Sequence, residues 1–221
     1  MTSAHGDLSA DGIGRGRLDE FESQAVFRLL LDSFARPGLI VELPDRITGR
    51  VPNVIVPLLA LLGHDTTFNI VGDESGDLTA LVRHVTGGRP SPIIEAAFVA
   101  VTRLGDEFNL SRVARGTRLR PDLGAQVAIS FRGRFSSTVS DERSVANQVC
   151  ITLSGPGVPD ERRIFLEGEV SELLDVFESR RSTSDAGVDV WIFDAAGNIV
   201  GVPRTTHLEV VDTFVRHTGG N

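Results

Sequence analysis

The chain has 221 residues, enough to bury one sizeable core, and its 41% apolar content is that of a soluble globular protein. A net charge of −8 and a pI near 5.1 argue against nucleic acid as the main partner. One cysteine, Cys150, excludes an intrachain disulfide and a cysteine-held zinc or iron–sulfur site, and the lack of any lysine excludes a Walker A loop and a lysine Schiff base.

Residues 1–18 are rich in Gly, Ser, Asp and Arg, have no apolar core, and read as a disordered leader rather than a secretory signal. The longest nearly apolar run, Val54 to Leu62, falls far short of the roughly 20 residues that span a bilayer. A cytoplasmic protein with no membrane partner is expected. Asp19 to Ala35 is an amphipathic helix, with Phe21, Ala25 and Leu29 at four-residue spacing and Val26, Leu30 and Phe34 beside them. Arg36-Pro37-Gly38 stops it, and Leu39 to Leu43 is a short strand. After a loop over 44–52, Asn53 is placed to cap a buried helix, Val54 to Leu62, with Pro57 in its first turn. Thr67 to Val71 is a strand and Leu78 to Val85 a helix. Gly87-Gly88-Arg89-Pro90 breaks the chain, as a plain loop or an anion-binding turn.

Ala96 to Val101 is apolar throughout and suits a doubly covered central strand. Leu110 to Arg115 reads as a short helix. The run Arg112, Arg115, Arg118, Arg120 is either a solvated face or a contact for a partner's acidic surface. Ala125 to Phe131 is a strand. Residues 132–146 are polar and aperiodic, which makes them a loop insertion, and Asn147 to Leu153 is the next strand. Gly155-Pro156-Gly157 turns the chain, with backbone N–H groups that could face an anion. Glu169 to Arg181 is a helix, with Val170, Leu173, Leu174 and Phe177 on one face and Arg180 and Arg181 at the negative end of its dipole. Val188 to Phe193 and Ile199 to Val202 form a hairpin, and 212–221 is a polar tail. Alternating strands and helices followed by antiparallel strands predict an α/β fold, a three-layer α/β/α sandwich with a mixed sheet, as one domain over 19–211.

The stretch after the hairpin carries the candidate chemistry. Pro203 cannot donate to a ladder and should end the strand. Arg204, Thr205, Thr206 and His207 then follow in a row: a planar fork of donors, two hydroxyls and an imidazole, suited to a phosphonate, phosphate or carboxylate. The same residues have an ordinary structural account, with Arg204 paired to an acidic neighbour, the hydroxyls capping backbone and His207 at the surface. The five histidines, His5, His64, His84, His207 and His217, show no metal-ligand spacing, and no metal site is expected.

Pro203-Arg204-Thr205-Thr206-His207-Leu208-Glu209-Val210 resembles the C-terminal signature of the PhnH family, the H subunit of bacterial carbon–phosphorus lyase. Four other pieces resemble that family in the same order: Phe27-Arg28-Leu29-Leu30 with Arg36-Pro37-Gly38; Gly116-Thr117 with Pro121 and Gly124-Ala125; Leu153-Ser154-Gly155-Pro156-Gly157-Val158 with Glu161-Arg162; and Gly187-Val188-Asp189. The resemblance implies a fold like the large domain of pyridoxal-phosphate-dependent transferases. The absence of lysine removes the internal aldimine, so no pyridoxal phosphate and no other cofactor is expected. It also implies a subunit needed for organophosphonate catabolism, at the step that couples an alkylphosphonate to ATP with loss of adenine to give a ribose 1-phosphonate 5-triphosphate. Further implications are G, I and J subunits as partners, a homodimer in isolation, a phosphonate or nucleotide ligand, and a structural or binding role rather than catalysis of its own. Two other classes stay open: an independent small-molecule enzyme acting on a phosphorylated substrate through Arg204, Thr206 and His207, and a free-standing binding or regulatory module.

Overall fold

The computed structural model describes residues 16–105, 108–117, 119–138, 148–181 and 187–214. Most of the expected leader, the end of the expected 132–146 insertion and the end of the expected tail lie outside those residues. Helix α1 (Glu20–Ala35) forms as its spacing predicts. A reciprocal cap starts it: the Glu22 N–H donates to the Asp19 carboxylate at 2.7 Å, and the Asp19 N–H donates to the Glu22 carboxylate at 3.0 Å. A 3-10 turn, Asn53–Ile55, leads into α2 (Val56–Leu61). Asn53 is not the cap expected of it, because the chain enters through this tighter turn after Pro52; its side-chain carbonyl instead accepts the Gly49 N–H at 3.4 Å. Helix α3 (Asp77–Thr86) is capped by Asp73, whose carboxylate accepts from the N–H of Leu78 and of Thr79. Helix α4 (Ser171–Arg181) starts two residues later than its pattern suggests.

Seven strands form the main sheet: β1 (Ile40–Glu42), β2 (Thr67–Val71), β3 (Arg89–Pro90), β4 (Phe98–Val101), β5 (Gln126–Ser130), β9 (Asp189–Phe193) and β10 (Asn198–Val202). Their order is β1-β10-β9-β5-β4-β2-β3. Pairing is parallel from β3 through β2, β4 and β5 to β9, and antiparallel across β9–β10 and β10–β1, which makes the sheet mixed. A second, antiparallel sheet has the order β11-β7-β8-β6, from β6 (Gly133–Ser136), β7 (Gln148–Ser154), β8 (Arg162–Gly168) and β11 (His207–Phe214).

Strand alternation sorts the core into two halves. Ala100, Ala128, Trp191, Phe193 and Ile199 face Val26 and Leu30 of α1, Leu58 of α2 and Val82 of α3. Val99, Val101, Val127, Ile129, Val190, Ile192 and Val200 face the other way. They meet Val149, Ile151 and Leu153 of β7, Ile164 and Leu166 of β8, and Leu173 and Phe177 of α4. The class is α/β, but the layer on this second face is a four-stranded sheet with one helix, not helices alone. Phe34 of α1 stacks on Trp191 with ring centroids 4.4 Å apart, and the Trp191 indole N–H donates to the Leu30 carbonyl at 3.4 Å. Helix and strands approach closely at Gly201, where a Cβ would lie 2.5 Å from the Ser33 carbonyl oxygen.

Several elements correct the sequence-based expectation. The first part of the 132–146 loop is strand β6, the stretch before α4 is strand β8, and Arg89–Pro90 adds a short parallel strand at the sheet edge. The tail begins inside β11, which runs on to Phe214, and the helix expected over 110–115 is a single 3-10 turn, Leu110–Arg112. Residue 18 of the leader packs against the core.

Candidate functional site at the junction of the sheets

Strand β10 belongs to the main sheet and β11 to the second, so residues 203–206 carry the chain across between them. Pro203 follows the last strand residue, Val202, as its missing N–H requires. The Thr206 N–H donates back to the Pro203 carbonyl at 2.9 Å and tightens the turn. Arg204 is held at four points. Its backbone N–H donates to Asp189 Oδ1 at 2.8 Å, Nε to the same oxygen at 3.2 Å, Nη2 to Asp189 Oδ2 at 2.7 Å, and Nη1 to the Pro121 carbonyl at 2.7 Å. The two side chains are only 23% and 17% exposed. Hydrogen bonding to Asp189 raises the Arg204 pKa above its ordinary value, against the opposing effect of burial and with further help from the carboxylate charge.

The four residues in the expected anion-binding row therefore do not share one surface. Arg204 turns to Asp189 and to the 116–124 loop, Thr206 is buried, and Thr205 and His207 are exposed. An anion approaching Arg204 meets the Asp189 carboxylate as well, and the pair is neutral as a unit.

Three of the other motif stretches reach this turn, where their glycines permit contacts that a side chain would block. A Cβ on Gly187 would lie 2.8 Å from Arg204 Cβ, and one on Gly116 would lie 2.7 Å from the Pro121 carbonyl that Arg204 grips. On the opposite side, a Cβ on Gly155 would lie 3.0 Å from the Thr205 carbonyl, and one on Gly157 would lie 2.5 Å from the Ala35 carbonyl at the end of α1. Arg162 Nη1 donates to the carbonyls of Arg36 and Pro37, at 3.1 and 2.9 Å. A cleft of about 770 Å³ opens beside this contact, lined by Gly38–Ile40, Ser137 and Asp160–Ile164. Its rim carries Asp160 and Glu161 against Arg162 and Arg163, so it has no net preference for an anion.

The family model described as bacterial phosphonate metabolism protein (PhnH) matches residues 18–209. The chain belongs to the PhnH family. A relative from Rhizobium meliloti (strain 1021), "Alpha-D-ribose 1-methylphosphonate 5-triphosphate synthase subunit PhnH", is 26% identical over 196 residues, covering 86% of this chain and 91% of that protein. The PhnH match runs from the approach to α1 into β11 and so spans both sheets.

Two residues of this PhnH-family chain hold the hairpin in place without standing out as site residues in its sequence, one at the junction and one at the far end of the hairpin. Asp189 is one. The signal for it is the hairpin register: Ile199 pairs with Phe193 and Val202 with Val190, so the next step sets Asp189 beside Pro203 and within reach of Arg204. Asp194 is the other. It is buried, and its carboxylate accepts from the N–H groups of Ala196 and Asn198, both at 2.9 Å, from the Asn198 amide at 2.8 Å, and from the Phe135 N–H at 3.3 Å. It thereby fastens the hairpin loop to β6. Nothing local in the sequence points to the link with Phe135, which lies 59 positions away.

Proposed function

We propose that this chain is the H subunit of a carbon–phosphorus lyase core complex. It would serve organophosphonate breakdown at the step that couples an alkylphosphonate to ATP, releases adenine and yields a ribose 1-phosphonate 5-triphosphate. The observation that carries this reading is the family match across both sheets, joined by likeness to a relative named as a subunit of that synthase. Its part in the complex is structural and binding rather than turnover of its own. The support is that the strongest donors and acceptors at the junction, Arg204 and Asp189, hydrogen-bond each other. Its partners are the G, I and J subunits. In isolation it is a homodimer, a reading supported by the exposure of Phe21, Phe27 and Leu31 along α1. The fold is related to the large domain of pyridoxal-phosphate-dependent transferases, with α4 standing in the third layer. Pyridoxal phosphate itself does not fit, because the sequence has no lysine to anchor it. Among the described residues no helix is long and apolar enough to cross a membrane, and we place the protein in the cytoplasm.

The test is co-expression with the G, I and J subunits and purification through a tag on this chain. The expected result is a stable assembly that makes the ribose phosphonate product, and no turnover by this chain alone. A chain that purifies alone beside soluble G, I and J defeats the reading. In a second reading, Arg204, Thr205 and His207 hold a phosphonate or a nucleotide phosphate, and the buried Thr206 fixes the turn that presents them. It is favoured by the two Arg204 N–H donors that Asp189 and Pro121 leave over, and by the exposure of Thr205 and His207.

A further inference from the structure

The ladder between β7 and β11 sets Ser154 directly opposite His207. Opposed residues of an antiparallel pair have Cβ atoms about 4.5–5.5 Å apart, on the same face of the sheet. That face looks away from the core, because the neighbouring pair, Leu153 and Leu208, is buried in the core and side chains alternate along each strand. Thr205 reaches the same edge by another contact: a Cβ on Gly155 would lie 3.0 Å from the Thr205 carbonyl, so the turn after β7 lies against the turn before β11. Thr205 and His207 are exposed and Ser154 is half-buried. Among the described residues none of these three side chains has a hydrogen-bond or ion-pair partner. That separates them from Arg204, whose fork is engaged by Asp189 and Pro121. The next row on the same face is Glu209, Thr152 and Arg163, opposed in that order. Its carboxylate and guanidinium stand on either side of Thr152 and offset each other, so the row brings no net charge against an anion lying over Ser154 and His207. Two hydroxyls and an imidazole with no partner in the protein match the oxygens of a tetrahedral anion.

We propose that Ser154, Thr205 and His207 form the contact surface for a phosphonate or phosphate group, Ser154 being a ligand-binding residue that belongs with the 204–207 row. This rests on the second reading above for the class of ligand, and it changes that reading in one respect. Arg204 holds the turn in place from beneath, through Asp189 and Pro121, and the anion meets the uncommitted donors instead.

The experiment is titration of the full chain with ethylphosphonate and, separately, with inorganic phosphate, read by calorimetry and by the ring resonances of His207, which His207→Gln identifies by their loss. The expected result for wild type is a saturating shift of the His207 ring. Binding of either probe supports the surface, and the tighter of the two names the source of the anion. Ser154→Ala and His207→Gln should melt with the wild type and each weaken binding roughly tenfold. Arg204→Ala, measured well below its own melting temperature, should keep its affinity within about threefold of wild type. Binding that Arg204→Ala abolishes and Ser154→Ala spares returns the anion to Arg204; it overturns the role of Ser154 and leaves the second reading standing. A shift that grows without saturating marks non-specific contact and overturns the surface. A wild type that binds neither probe removes the second reading, and the proposal with it.

Discussion

Arg204 is a guanidinium whose donors face a carboxylate and a carbonyl rather than open solvent. Charge-assisted bonds of this kind contribute about 1.5–3 kcal/mol, and exposure of about a fifth of each side chain keeps the pair from being heavily screened. Arg204→Ala leaves Asp189 with one backbone partner and frees the Pro121 carbonyl. We expect it to lower the melting temperature of the isolated subunit by roughly 5–10 °C, from a loss of about 2–3 kcal/mol. Arg204→Lys should recover less than half of that, because an ammonium cannot form the two-point fork. The folded-state pKa of Arg204 is raised, so its stabilisation is complete below the unfolded value and fades only as pH climbs through the folded one, in strong alkali. The Arg204→Ala deficit should therefore be equal at pH 6 and pH 9. A mutant that melts with the wild type but abolishes turnover of the assembled complex would favour the ligand role over the tie.

The element that shows how the layers meet is α1. Its buried side holds Val26, Leu30 and Ser33, and it lies so close to β10 that Gly201 has no room for a methyl group. Ser33 donates its hydroxyl to the Leu30 carbonyl at 2.7 Å, so it turns inward without an unmet donor. Gly201→Ala must push a Cβ into the Ser33 carbonyl, and the helix has to lift. Overpacking of this kind costs about 1–3 kcal/mol. The same lift should open the Phe34–Trp191 stack, and Trp191 is the single tryptophan of the chain. The expected outcome is a lower melting temperature with red-shifted tryptophan emission. Unchanged emission together with unchanged stability would show that α1 accommodates the methyl group.

For the whole molecule the distribution of exposed apolar groups is the informative property. Phe21, Phe27 and Leu31 recur along one side of α1, while Leu119 and Leu123 sit on the 112–123 loop. The exposed residues of α1 suit a contact with a second copy. Light scattering of the isolated chain at micromolar concentration should give near twice 23.8 kDa, and Phe27→Glu with Leu31→Glu should return it to 23.8 kDa. Leu119→Glu should leave the dimer intact. A wild-type mass of 23.8 kDa counts against the dimer.

Local features of the sequence determined the α/β class, the existence of α1, the end of β10 at Pro203, and the impossibility of a lysine-bound cofactor. Each depends on a property carried by the residue itself or by its near neighbours: side-chain spacing, a missing N–H, a missing amine. The tertiary structure decided which strands share a sheet. In Arg162–Gly168 the buried run Ile164, Phe165, Leu166 has no alternation to betray a strand, and in Gly133–Ser136 Phe135 is the one buried residue, so neither segment shows a period to read. That β11 crosses to pair with β7 is a long-range choice, made by ladder bonds between residues over fifty positions apart. The partner of Arg204 was also decided there. One fork of donors matches a phosphonate and a carboxylate equally well, and its chemistry cannot say which is near. Proximity says it: the hairpin register brings Asp189 to Arg204, and Gly116 and Gly187 let the backbone close around the pair.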